Sequence, residues 1–386
     1  MSLLNTFSFE LPTEIVFGVG ACGNLTERLS QLKVGRILIV SDKGIDESGL
    51  LDGIRNQLTE KGLDHKTFDS VEANPKDYNV QQGAEIAADY KAECLVAVGG
   101  GSPIDCAKAM AVVAAHGGTV RDYEGRGKLT KEPIPLIAIP TTAGSGSEVT
   151  FSAVITDSRE KFKFSIKDTQ NAPRVALADP EMTMTMPPGL TAATGLDALT
   201  HAIEAFSCKV SNPISDAAAL YAVELITTHL KTAVFDGHNL EARAGMLMGS
   251  ILAAIAFSHS DVASVHCIAE ALGGKYDTPH GACNAVVLPA VMAYNMSYCL
   301  ENYARLATAL GLAYDSVESG AQKAVQAVEK LAADVDLPDF NSFGVTENNF
   351  EELAQNSVNN GSNIDNPRPM AKEDYLNVLK TLGSRR

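Results

Sequence analysis

Short runs of β-branched and aliphatic residues alternate with amphipathic stretches through the first half of this chain, and then the short runs stop. Arg36-Ile37-Leu38-Ile39-Val40, Cys94-Leu95-Val96-Ala97-Val98 and Ile134-Pro135-Leu136-Ile137-Ala138-Ile139 are apolar at consecutive positions, not at every second one. Strands covered on both faces read this way, so the pattern predicts a parallel sheet. Helices are predicted between them at about 21–32, 48–61 and 79–90, with a further strand at about 65–69. Thr6-Phe7-Ser8-Phe9 and Glu14-Ile15-Val16-Phe17 read as two short strands separated by Pro12. Strand and helix in alternation imply a doubly wound α/β domain with ligand loops at the carboxyl ends of the strands.

The texture changes after Met186-Pro187-Pro188-Gly189. Helical stretches follow at about 190–206, 212–233, 238–257, 259–272, 284–297, 300–310, 315–334, 346–356 and 372–383, with Pro and Gly mostly between them. The organisation predicted is an α/β domain over 1–187 and an all-helical domain over 188–386, without internal repeats.

A chain of 386 residues with 45% hydrophobic and 20% charged residues can bury two sizeable cores. Its net charge of -16 disfavours nucleic acid and anionic membranes, which attract basic patches. A small anionic cofactor is not disfavoured, because backbone amides can bind it locally. Seven cysteines are scattered without a C-x-x-C pair, as in a protein of a reducing compartment. With no basic-apolar leader and no long apolar run, a cytoplasmic location is the expectation.

Candidate chemistry begins in Gly195-Leu196-Asp197-Ala198-Leu199-Thr200-His201-Ala202-Ile203-Glu204-Ala205-Phe206. On a helix, Asp197 and His201 share a face four residues apart. His266 and His280 lie further on, in VHCIAEALGGKYDTPHG, the first in a helix and the second after the Thr278-Pro279 turn. One carboxylate and three imidazoles suit divalent Fe, Zn, Co or Ni; Ca and Mg prefer oxygen shells. His259, between Ser258 and Ser260, is the rival third ligand, at what reads as an exposed helix start.

In the first half, Gly99-Gly100-Gly101-Ser102-Pro103-Ile104-Asp105 separates a strand from an apolar helix. Such a turn aims free N–H groups and a helix dipole at phosphate, although this is not G-x-G-x-x-G. A second turn, Pro140-Thr141-Thr142-Ala143-Gly144-Ser145-Gly146-Ser147-Glu148, follows the next strand and can line the same ligand. Asp42 ends an earlier strand, where its carboxylate either caps a helix or accepts from ribose and repels an extra 2′-phosphate.

GGGSPIDCAKAM, PTTAGSGSEVT, AATGLDALTHAIEAF and TPHGACNAV together resemble the iron-containing (group III) alcohol dehydrogenases, which include lactaldehyde reductase and propanediol dehydrogenase. The similarity runs from Phe7 to about Arg368. The resemblance implies an NAD(P)-binding α/β domain and a helical metal domain. It implies Asp197, His201, His266 and His280 as metal ligands. Gly100, Gly101 and Ser102 look like the pyrophosphate loop, with Asp105 at the start of the helix beneath it. Asp42 looks like the adenosine-ribose residue and Asn74 is similar to a cofactor contact. Thr141, Thr142, Ser145 and Ser147 lie in the second cofactor loop, and Lys163 matches a lysine near the cofactor ribose.

The function so implied is NAD-dependent interconversion of a small primary alcohol or diol with its aldehyde. Fe(II) is the family's ion, and Zn(II) can replace it on purification by affinity order. NAD is expected over NADP. Family analogy also places Phe257 at the substrate pocket and implies a homodimer or higher homo-oligomer. Family members such as lactaldehyde reductase carry a second histidine four residues after the helix ligand; here it is Glu270. That carboxylate can move protons, recognise a hydroxyl or pair structurally, and it alters which substrates enter. A glycerol dehydrogenase-like zinc enzyme, a dehydroquinate synthase-like lyase and a non-catalytic NAD or metal sensor are the competing readings. The lyase would need a basic substrate cluster, which the stretch from His266 to His280 lacks.

Overall fold

The computed structural model describes residues 6–384. The chain forms two compact units. One runs from Leu11 to Met186, and the other comprises residues 187–384 together with residues 6–10.

The first unit is built on a six-stranded sheet in the order β1-β9-β6-β4-β2-β3, parallel throughout. Its strands are β1 (Glu14–Phe17), β2 (Arg36–Val40), β3 (Asp64–Phe68), β4 (Cys94–Gly99), β6 (Leu136–Pro140) and β9 (Val175–Ala178). The helices between them are α1 (Leu25–Leu32), α2 (Lys43–Glu47), α3 (Leu50–Glu60), α4 (Asp77–Tyr90) and α5 (Gly101–His116). Consecutive apolar residues in the central strands serve opposite cores. Leu38, Leu95 and Ala97 face one core, while Ile37, Ile39, Val96 and Val98 face the other. Alternation of side chains along a strand makes this necessary when both faces are covered. Gly99 pairs with Pro140, so the turns leaving β4 and β6 emerge side by side.

A small second sheet, in the order β5-β8-β7, comprises β5 (Gly125–Arg126), β7 (Ser152–Asp157) and β8 (Phe162–Lys167). The β7–β8 pair is antiparallel, and the sequence pattern did not reveal it. Its strands mix charged and apolar residues because only one face is buried. Thr6–Phe9 is not a strand, contrary to expectation. Phe9 instead stacks on His259 at 3.9 Å between ring centroids, and its aromatic side chain, not a backbone ladder, anchors the segment.

The second unit is helical: α6 (Pro188–Ser207), α7 (Pro213–Phe235), α8 (Leu240–Ser258), α9 (Ser264–Tyr276), α10 (His280–Asn295), α11 (Leu300–Ala309), α12 (Val317–Asp334), α13 (Phe350–Asn359) and α14 (Lys372–Ser384). Two boundaries differ from expectation. His259 closes α8 rather than opening a helix, and His280 begins α10 rather than lying in a loop. Among the described residues α8 is long and apolar enough to cross a membrane, but it packs against α6 and α7. All seven cysteines are buried free thiols.

Candidate metal centre and dinucleotide loops

Helix α6 is buried along nearly its whole length, so its polar residues Asp197, His201 and Glu204 are held in a low-dielectric interior. Buried ionisable groups need partners, and those of Glu204 and Asp197 come from other helices. Ligand atoms of Asp197, His201 and His266 all lie within 4.8 Å of one another. His280 Nε2 stands 3.9 Å from Asp197 Oδ1. The imidazoles of His201 and His266 stack at 4.7 Å, and those of His266 and His280 lie 5.3 Å apart. Phe257 covers the outer face of His201 at 4.5 Å. His259 is not part of this cluster; it contacts Phe9, and the Glu10 main-chain N–H lies 3.2 Å from its Nε2.

Two residues that sequence reasoning left aside complete the arrangement. Glu204 accepts from His266 Nδ1 at 2.6 Å, and from the main-chain N–H groups of Ala263 at 3.0 Å and Val265 at 2.7 Å. It therefore caps α9 from another helix and fixes the His266 tautomer, leaving the Nε2 lone pair directed into the cluster. Its signal was its position, seven residues after Asp197 on the same apolar helix. Asn284, four residues after His280, places Nδ2 at 2.6 Å from Asp197 Oδ1, 3.1 Å from His266 Nε2 and 3.2 Å from His280 Nε2. Its Oδ1 is buried without a hydrogen-bond partner. Two amide hydrogens cannot serve three acceptors.

That surplus of lone pairs is the test of whether a metal fits, and it does. One carboxylate oxygen and three imidazole nitrogens converge, with a carboxylate orienting one of them, as for a first-row divalent ion. The electrostatics agree. Burial pulls His266 down, but the hydrogen bond and charge of Glu204, with Asp197 and Glu270 behind it, prevail and hold it above its ordinary pKa. Burial pushes Asp197 up, but the charges of His201, His280 and His266 outweigh it and the carboxyl lies below its usual range.

The approach of α10 to α6 depends on Gly281. A Cβ there would stand 2.5 Å from the Ala193 carbonyl oxygen and 3.2 Å from Asp197 Cβ, so only glycine lets His280 come beside Asp197. Glu270, one turn beyond His266, accepts from Asn360 Nδ2 at 2.6 Å.

In the sheet unit, Gly100 caps α5 and Gly101 begins it. Thr141 N–H donates to Gly99 O at 3.0 Å, while Thr141 Oγ1 is buried without a hydrogen-bond partner. Ser145 Oγ accepts from Ser147 N–H at 3.3 Å. Ser102 lies in the first turn of α5 and Thr142 packs against Gly100. Asp42 caps α2, its Oδ1 accepting from Ile45 N–H at 2.9 Å. Asn74, in the left-handed region at φ 50°, accepts from Lys163 Nζ at 2.7 Å, which joins two residues that lie far apart in sequence. Asp105 turns inward; it accepts from Val154 N–H at 2.9 Å and from the Ser147 hydroxyl.

A doubly wound parallel sheet with paired glycine turns suits a dinucleotide, and the Asp/His cluster of the helical unit suits a divalent metal. Residues 12–180 match the family model described as iron-containing alcohol dehydrogenase, and residues 191–383 match that of the Fe-containing alcohol dehydrogenase family, C-terminal. The chain is 39% identical to 1,3-propanediol dehydrogenase of Citrobacter freundii, covering 97% of this chain and 98% of that protein. It is 38% identical to NAD-dependent methanol dehydrogenase of Bacillus methanolicus, covering 97% and 99%. A crystal structure of 1,3-propanediol oxidoreductase superposes with a TM-score of 0.95 at 38% identity, over 98% of this chain and 100% of that one. The chain belongs to the iron-containing alcohol dehydrogenase family. It is an alcohol dehydrogenase of this metal-containing family, an oxidoreductase.

Proposed function

We propose that Asp197, His201, His266 and His280 hold the divalent cation, Fe(II) in the cell, and that the substrate is a small primary alcohol or diol. The observation that carries this is the convergence of four donor atoms with more lone pairs than the surrounding hydrogens can satisfy. An ion held by these four residues would supply Lewis acidity, and a dinucleotide held by the glycine turns would supply a hydride acceptor. The residues supply placement. Glu204 and Asn284 orient the ligands, and Phe257 shields His201 from water. Three imidazoles and a carboxylate also suit Zn(II), so zinc is the replacement expected in aerobically purified protein.

The cofactor falls to Gly100, Gly101, Ser102, Thr141, Thr142, Ser145 and Ser147 around the pyrophosphate, with Asn74 and Lys163 as a joined pair toward ribose. The inward-facing Asp105 supports these loops. Asp42 has one oxygen engaged as a cap; its charge at the end of β2 favours NAD over NADP. Glu270 is the acid beside the metal ligands that bears on substrate choice.

The test is elemental analysis and turnover of His280→Ala. Metal content and alcohol oxidation should be lost together; full metal stoichiometry in the variant would remove His280 from the set. A preference for NADP in wild-type kinetics would remove the assigned role of Asp42.

A further inference from the structure

Three successive main-chain N–H groups at the start of α9 are taken up by side chains from elsewhere in the helical unit. Glu204 takes those of Ala263 and Val265, and the one between them, Ser264 N–H, donates to Asn366 Oδ1 at 3.4 Å. The first N–H groups of a helix have no partner within it, and these residues are buried, so they need acceptors from outside.

Asn366 is fully buried, and both ends of its amide are fully used. Its Oδ1 also accepts from Asn295 Nδ2 at 2.9 Å. Its Nδ2 donates to Asn295 Oδ1 at 2.8 Å and to the Arg368 carbonyl at 2.6 Å. Asn295 is the last residue of α10, the helix that His280 opens. One amide thus ties the first turn of the helix bearing His266 to the last turn of the helix bearing His280.

A second attachment lies beside it. Tyr375 of α14 is also fully buried; its hydroxyl donates to Asn363 Oδ1 at 2.7 Å and lies 2.9 Å from Ser264 Oγ. The segment that carries Asn363 and Asn366 reaches α9 again one turn beyond His266, where Asn360 donates to Glu270. His266 therefore lies between two points at which this segment grips α9.

We propose that Asn366, with Tyr375 beside it, is a positioning residue for the metal centre: it sets how α9 lies against α10, and so the separation of His266 from His280. The proposal rests on the reading that these histidines hold a cation. Neither Asn366 nor Tyr375 is one of the four proposed ligands; both act through the helices that carry them.

The experiment loads full-length wild type, Asn366→Ala and Tyr375→Phe with Co(II). It measures Co(II) affinity by chelator competition and the visible spectrum of the bound ion. Asn366→Ala removes the whole amide. Tyr375→Phe removes one hydroxyl at constant shape, and it is the deciding variant if Asn366→Ala does not fold. Asn366→Ala should raise the Co(II) dissociation constant about tenfold, as for loss of a group that orients ligands. Tyr375→Phe should raise it roughly threefold, as for one lost hydrogen bond. Both should shift the Co(II) bands, which follow ligand geometry and not stability.

Co(II) affinity within twofold of wild type in every variant that folds would overturn the proposal. So would a lowered affinity with unchanged bands, because that is support of the fold alone, and so would failure of Tyr375→Phe to fold. Wild-type protein that binds no Co(II) would overturn the underlying reading of the four side chains as ligands as well.

Discussion

Glu204 shows how much a single side chain can organise. Its carboxylate serves two main-chain amides and one imidazole nitrogen, so it caps a helix and aims His266 at once. Glu204→Gln keeps one carbonyl oxygen but loses the charge. Metal affinity, measured by chelator competition, should fall about 10- to 100-fold, the usual cost of removing such an orienting carboxylate. Gly281 makes the complementary case, in which the absence of a side chain matters. Gly281→Ala sets a Cβ 2.5 Å from a main-chain oxygen, so α10 must move away from α6. A loss of about 1–3 kcal/mol in chemical denaturation is expected, with bound metal falling too. Glu270→Gln preserves an acceptor for Asn360 while removing charge. If Glu270 selects substrate, kcat/KM should shift toward anionic alcohols relative to neutral ones; an unchanged ratio with lowered stability would make it a structural partner only.

At the scale of elements, the helices of the metal unit meet through small residues. A Cβ on Gly195 would fall 2.4 Å from Leu230 and one on Gly249 would fall 2.7 Å from Ile226, so α6 and α8 each press closely on α7. This close packing keeps Asp197 and His201 dry. The loop between β6 and β7 carries a titration that can be read in stability. Burial lifts the Glu148 carboxyl to about 7, although its own backbone amide and Lys108 oppose the shift. Between its unfolded value of 4.5 and about 7, the native state keeps a proton that the unfolded state has lost. Stability from this group is therefore greatest at low pH and falls as pH rises through that window. Glu148→Gln should flatten the fall and stabilise the enzyme above pH 7, by about 1–3 kcal/mol in urea titrations at pH 5 and pH 8. An equal slope in wild type and variant would show that Glu148 ionises without cost.

On the scale of the whole molecule, the two compact units divide the labour: the proposed cation ligands belong to the helical one and the glycine turns to the sheet. An ion bound only by the native helical unit stabilises that unit by mass action. Chelation should lower its melting transition on the order of 10 °C, by calorimetry, and added Fe(II) or Zn(II) should restore it. The sheet unit should be shifted by NADH instead. Transitions that ignore both ligands would contradict the division.

The chain alone determined the parallel sheet, because strands buried on both faces must be apolar at successive positions, as in Cys94–Val98. It also determined the helical second half and the types of the four donor residues. The β7–β8 pair was hidden because a sheet with one exposed face mixes charged and apolar residues and leaves no continuous apolar run. Tertiary structure alone decided which carboxylate steadies His266, which amide lies among the proposed ligands, and that Lys108 of α5 holds the loop after β6. Each of those contacts spans between 18 and 62 residues, and sequence patterns report only the neighbours that a helix or strand repeat brings together.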